Sequence, residues 1–324
     1  MTTSTLPGVT YRLLRDAADY EHMADIFRAA NAADGIEWVM DAATLRVEHE
    51  HRADHDPRRD VVLAEVDDRP VAYGVATREI QGDVAVYSTG GRVRPDFRRR
   101  GIGRSLLRRN EARLREIAAI KADTSDRAFG SWILDDEGGA AALLTSEGYE
   151  AVRFGFGMLR PTLDDLPHAA LPDGLDLHPV KPEDHRAIFD ADNEAFRDSW
   201  GHGEATEEDF IGIFARPDLD TSLWRVAWDG TEVAGSVQVE IARMENAALG
   251  VRRGWLHRVS VRRPWRRRGL ASALIVSALA GLRDAGMTEA MLGVDTENPS
   301  GALHLYESLG FGVREHATTY RKAW

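Results

Sequence analysis

Val261-Arg262-Arg263-Pro264-Trp265-Arg266-Arg267-Arg268-Gly269-Leu270-Ala271 joins the β-branched and aromatic run Trp255–Val261 to an apolar helical pattern reaching from about Leu270 to Ala285. The glycine therefore falls where a strand gives way to a helix. Such a turn presents unpaired backbone N–H groups and the positive end of a helix dipole to one point, a place for a phosphate. Gly269 permits close backbone approach, Ala271 leaves room beside a ligand, and the arginines add charge-assisted hydrogen bonds. No Lys-Ser/Thr follows the glycine as in a P-loop, and the dinucleotide pattern G-x-G-x-x-G after a first strand is missing. Taken alone, the segment reads equally well as a glycine cap flanked by solvated arginines.

It is not alone. Val93-Arg94-Pro95-Asp96-Phe97-Arg98-Arg99-Arg100-Gly101-Ile102-Gly103 lies 168 residues earlier and again opens an apolar helix. Gly139-Ala140-Ala141-Ala142-Leu143-Leu144 with Gly148-Tyr149 likewise parallels Gly301-Ala302-Leu303-His304-Leu305-Tyr306 with Gly310-Phe311, at an offset of 162. The difference predicts a longer loop in the first copy, around Asp123 to Glu137. A repeat of this length means two copies of one structural unit, and 324 residues suit two domains of roughly 150 each.

Within each half the periodicity reads as a helix, a strand pair, a third strand, the Arg/Gly turn, a helix, a strand, a helix and a final extended segment, a mixed α/β order. The strand pairs are Val61–Val66 with Pro70–Thr77, turned at Asp67-Asp68-Arg69, and Leu223–Trp228 with Glu232–Glu240, turned at Asp229-Gly230-Thr231. Pro161–Pro172, with three prolines and no sustained period, reads as a linker between domains at 1–160 and 173–324. Met1–Pro7 reads as a short disordered tail.

Composition narrows the function. No apolar run approaches the ~18 residues of a membrane span, and the N-terminus has no secretory pattern, so a cytoplasmic location and no membrane partner are expected. Zero cysteines exclude disulfides, thiolate metal sites and a cysteine nucleophile, and the histidines lack ligand spacing, so no metal is expected. With 53 acidic against 41 basic residues the net charge is −12, which argues against a nucleic-acid partner despite the arginine clusters.

The paired segments resemble the signature R/Q-x-x-G-x-G/A of the GNAT N-acetyltransferase superfamily, and the tandem arrangement is similar to that of mycothiol synthase and related double-GNAT proteins. The resemblance covers nearly the whole chain, once per half. It implies two GNAT-like domains, each a mixed, mostly antiparallel sheet flanked by helices, with acetyl-CoA as cosubstrate. By position, CoA contacts would come from Val259, Ser260 and Val261 on the strand and from Arg266, Arg267, Arg268, Gly269, Leu270, Ala271 and Ser272 at the turn. The first copy offers Val93, Arg98, Arg99, Arg100, Gly101, Ile102 and Gly103. Asn298 to Phe311 resembles the superfamily's N-x-x-A-x-x-x-Y-x-x-x-G-F segment, with Gly301 at the small position. The resemblance implies a cofactor contact for Asn298 and the general acid for Tyr306, which would protonate the departing thiolate.

An amine attacks only when unprotonated, so a base or a water path to one is needed. His257, Glu240, Asp295 and Glu297 all compete for that role. In the first copy Leu144 occupies the position of Tyr306, and Asp136 that of Asn298. Leucine donates no proton, so the first domain is expected to be catalytically degenerate and the second catalytic. Acceptor recognition is expected between Pro182 and Phe214, where Trp200, His202, Glu204, Glu207, Glu208 and Asp209 suit a cationic or amino-bearing acceptor or simply solvate a helix start. The function expected is acetyl transfer to a primary amine of a small molecule or peptide, with a noncatalytic acetyl-CoA sensor as the alternative.

Overall fold

The computed structural model describes residues 6–52, 54–121, 126–214, 219–298 and 301–324. The first half runs β1 (Thr10–Leu13), α1 (Ala18–Asp34), α2 (Ala42–Glu50), α3 (Pro57–Asp60), β2 (Val61–Val66), β3 (Arg69–Gln81), β4 (Val84–Val93), α4 (Ile102–Lys121), β5 (Asp126–Leu134), α5 (Ala140–Ser146) and β6 (Glu150–Arg160). The second runs β7 (Asp176–Leu177), α6 (His185–Phe196), α7 (Glu207–Phe214), β8 (Arg225–Asp229), β9 (Glu232–Glu240), α8 (Arg243–Leu249), β10 (Arg253–Val261), α9 (Leu270–Asp284), β11 (Glu289–Asp295), α10 (Ala302–Ser308) and β12 (Gly312–Ala323). The mixed α/β order and the turn at each strand-to-helix junction match the expectation.

The chain forms two compact units, 1–153 with 317–324, and 154–316. In the first, β1, β2, β3 and β4 pair antiparallel, β4 pairs β5 parallel, and residues 317–323 of β12 run antiparallel to β5. In the second, β7, β8, β9 and β10 pair antiparallel, β10 pairs β11 parallel, and residues 155–160 of β6 run antiparallel to β11. Each sheet thus takes its sixth strand from the other half of the sequence, so the observed units differ from the expected division at 161–172. Self-similarity gives no hint of this exchange, because β6 and β12 end both halves in the same way. Residues 161–172 have no helix or strand, but Leu163 is buried in the core of the second unit, with Leu166 and Leu171 packed against it.

Helical periodicity builds the cores. Tyr20, Met23, Ala24, Phe27 and Ala30 of α1 face the first sheet, and Leu270, Ala273, Leu274, Ala278 and Leu282 of α9 face the second. Five of the six extra residues of the first copy lie in a helix, ahead of the loop where the sequence placed them. Helix α4 has 20 residues and α9 has 15, and β5 already stands 162 residues from β11 when Ser88–Gly130 is matched with Leu256–Leu292. The insertion lengthens a helix, whose later turns carry the Arg115–Glu111 and Arg113–Glu116 pairs. Residues 122–125 of the anticipated loop, and 1–5 of the anticipated tail, lie outside the described residues; Leu6 lies over Gly101, 3.3 Å from a Cβ added there.

Candidate active site

Both arginine turns have the same backbone. Arg99 and Arg267 sit at φ 62° and 59°, Gly101 and Gly269 at 84° and 83°. A non-glycine residue held in the left-handed region is strained, and strain of this kind collects at ligand sites. The first intrahelical bonds run from Ser105 N to Gly101 O and from Ala273 N to Gly269 O. Among the described residues, the six amides before each of these, 99–104 and 267–272, donate to no backbone carbonyl. Six consecutive unclaimed donors at a helix start form an anion-binding nest suited to a pyrophosphate.

The leading arginine of each turn has a different job from the one its charge suggests. Arg98 donates Nε to Val93 O and closes a two-pronged pair on Asp34 at 2.6 and 2.8 Å. Arg266 repeats this, with Nε to Val261 O, Nη2 to Ala195 O at 2.9 Å and Nη1 to Asp198 at 3.4 Å. These guanidiniums brace the turn against α1 and α6, so a ligand meets their backbone rather than their charge. Arg100 is likewise turned back, onto Asp96 O and the Phe97 ring.

Below each turn the parallel strands part. Pairing of β4 with β5 ends at Ser88–Gly130, and of β10 with β11 at Leu256–Leu292. The edges opened in this way, Thr89–Val93 and His257–Val261, could offer backbone groups to an extended ligand. In the first unit that edge is stapled: Ser131 Oγ donates to Thr89 O at 3.0 Å, while Asn110 Nδ2 reaches Val75 O, Thr89 Oγ1 and Gly90 O. The corresponding residues of the second unit are Ala278 and Gly293, which have no side-chain donor. A cavity of about 490 Å³ lies in the first unit, lined by Arg99, Gly101, Gly103, Trp132, Glu137 and Leu144 among others. The buried Glu137 accepts from Arg92 Nη2 at 2.8 Å, and burial raises its pKa above the ordinary carboxylate range.

The second unit has a β-bulge at the parting of the strands. Leu256 faces Val239 and Arg258 faces Gln238, leaving His257 as the extra residue. Its Nε2 lies 3.5 Å from Glu240 and its ring stacks on Trp255, so two of the competing bases form one pair. In the first unit Ala76–Thr89 and Val75–Gly90 pair in unbroken register. Tyr306 is 6% exposed, with its ring edge-on to Phe311, and burial pushes its pKa up to about 12. It is therefore a protonated donor across the neutral range. Asn298 sits in the turn before α10, where its carbonyl accepts from Gly301 N. His304 is exposed and faces Glu307, and Glu297 N caps on Asp295 at 2.9 Å.

Asp192 is the residue the sequence reading missed. This buried α6 carboxylate accepts from Ser236 Oγ, Ser260 Oγ and Gln238 Nε2, with Arg258 Nε 3.4 Å away. Burial raises its pKa against the pull of Arg258 and the two serines. Its signal was an acidic residue on the apolar face formed by Ile188, Phe189, Ala191 and Ala195. Ser260, expected to serve the cofactor, commits its hydroxyl to this network.

Comparison with known proteins agrees with this geometry. The model of the Acetyltransferase (GNAT) family matches residues 22–131 and 185–311, once per copy. The chain is 29% identical to the mycothiol acetyltransferase of Geodermatophilus obscurus over 95% of this chain and 96% of that one, and 28% identical to that of Salinispora arenicola over 99% of each. A GCN5-related N-acetyltransferase from Sphaerobacter thermophilus superposes with a TM-score of 0.75 at 26% identity, covering 98% of this chain and 96% of the other. No described helix is long and apolar enough to cross a membrane, and no described group of three His, Cys, Asp or Glu could hold a metal ion. With both arginine turns falling inside the matched repeats, the chain belongs to the GNAT acetyltransferase family and is an acetyl-CoA-dependent N-acetyltransferase.

Proposed function

We propose that the second unit is the working acetyltransferase, acting on a primary amine of a small molecule or peptide, and that the first is a degenerate copy retaining its anion-binding turn. The observation that carries this reading is the bulge at His257 on an open strand edge, in the unit that also holds Tyr306, set against the unbulged, stapled edge and Leu144 of the first unit. In the second unit the nest of amides at 267–272 would hold the CoA pyrophosphate, and the open edge at Val259–Val261 its extended arm. The amine lone pair attacks the thioester carbonyl, the C–N bond forms and the C–S bond breaks. The amine proton passes to the Glu240–His257 pair, and Tyr306 protonates the leaving thiolate.

The names of the relatives make the acceptor of the mycothiol acetyltransferases the first amine to try. The cavity of the first unit favours a second reading, in which that unit binds acetyl-CoA without turning it over. Thiol release with Tyr306→Phe separates the roles: kcat is expected to fall about 100-fold with little change in acetyl-CoA affinity. An unchanged kcat removes Tyr306 as the acid. No thiol release from the wild type with any amine leaves the noncatalytic reading.

A further inference from the structure

Arg258 immediately follows the bulged residue, and its half-exposed side chain is anchored along its inner side. The guanidinium lies over the Phe196 ring at 4.8 Å, and its Nε is 3.4 Å from the buried Asp192. Asp192 is itself fixed by Ser236, Ser260 and Gln238. The side chain is still 40% exposed, and among the described residues neither Nη donates a hydrogen bond to the protein. A guanidinium clamped by an aromatic face and a buried carboxylate, with its outer fork open, is a ready receptor for a planar oxyanion. Position 90, its counterpart in the first unit, is glycine.

The two residues of the bulge therefore carry opposite halves of a recognition site. His257 is paired with the Glu240 carboxylate, and Arg258 next to it offers two unclaimed donors. We infer that the acceptor is a zwitterion, an amine and a carboxylate on one small molecule, with Arg258 binding the carboxylate so that the amine lies at the Glu240–His257 pair. This rests on the reading of the second unit as the working site. Asp192 and Phe196 act through Arg258 as positioning residues.

The test uses the full chain, acetyl-CoA and matched pairs of amines, L-methionine against L-methioninamide and β-alanine against β-alaninamide, followed by thiol release. A charge-assisted, two-pronged contact predicts a kcat/KM preference for the free acid of about 10-fold to 100-fold. Arg258→Gln abolishes the preference, mainly through KM, and Arg258→Lys restores part of it. Circular dichroism and acetyl-CoA titration on each variant keep misfolding apart from lost recognition. Amides used as well as the acids, or a preference that survives Arg258→Gln, overturn the inference and leave the acetyltransferase reading standing. No thiol release from any amine, with acetyl-CoA still bound, overturns both.

Discussion

The two units share one backbone plan and differ around the parting of their parallel strands. Both have the left-handed Arg/Gly turn, the free amides and the parting parallel strands. The first fills the parting with Asn110 and Ser131 and keeps its β3–β4 pairing regular; the second leaves it open, bulges at His257, and places Tyr306 where the first has Leu144. On the α-helical face opposite, Asp192, Ser236 and Ser260 form a polar network in the second unit, while in the first Arg92 reaches over Phe27 to Glu137. The shared turn is why both copies are proposed to bind an anion, and the differences around the split are why only the second is proposed to react.

Making the second unit resemble the first at one residue should have the largest effect. Tyr306→Leu is expected to lower kcat by about 10²-fold to 10⁴-fold in a thiol-release assay, and adding Leu144→Tyr should restore nothing. Recovery in the double variant would break the comparison. Deleting His257 removes the bulge from the β9–β10 pairing and is expected to cost about 100-fold in kcat/KM through misplaced groups, with far-ultraviolet circular dichroism unchanged.

Acid should act on the first unit. His49 is buried, with Nδ1 3.2 Å from His55 Nε2, and burial together with the His55 charge lowers its pKa to about 4. A histidine kept neutral in the fold contributes fully above the unfolded pKa near 6.5. As pH falls below that value the unfolded chain gains a proton the folded chain refuses, so stability drops toward pH 4, by at most about 3 kcal/mol. Amide exchange should show α2 opening before α9 on acidification, and His49→Phe should flatten the slope; equal loss in both helices would count against it. The smallest effect is expected from the braces. Asp34→Asn should cost the first unit about 1 kcal/mol in urea unfolding, because the Arg98 pair is largely buried, and Asp198→Asn less, because its pair with Arg266 is more exposed.

Much of this was legible in the sequence. The repeated arginine segment, the β9 limits and the start of α9 follow from glycine placement and apolar period, which are local properties, whereas Tyr306 was reached only through the family resemblance and its role is a proposal. What was hidden depends on pairing. The exchange of β6 and β12 is settled by which fifth strand each one meets, and a bulge at His257 shows only against Gln238 and Val239. The commitment of Arg98 and Arg266 to Asp34 and Asp198 was masked by their place in a basic run, where charge suggested a ligand and geometry supplied a brace. Asp192 did leave a mark, as a carboxylate on the buried stripe of α6.

Turnover by the second unit is the proposal on which the rest depends. It is tested most directly by acetyl-CoA calorimetry and amine-dependent thiol release on Gly269→Glu and Gly101→Glu, each of which puts a side chain and a negative charge at a left-handed position of one nest. Gly269→Glu is expected to abolish thiol release and the binding due to the second unit, while Gly101→Glu leaves turnover within about twofold of wild type. Loss of turnover in Gly101→Glu with Gly269→Glu still active would contradict it.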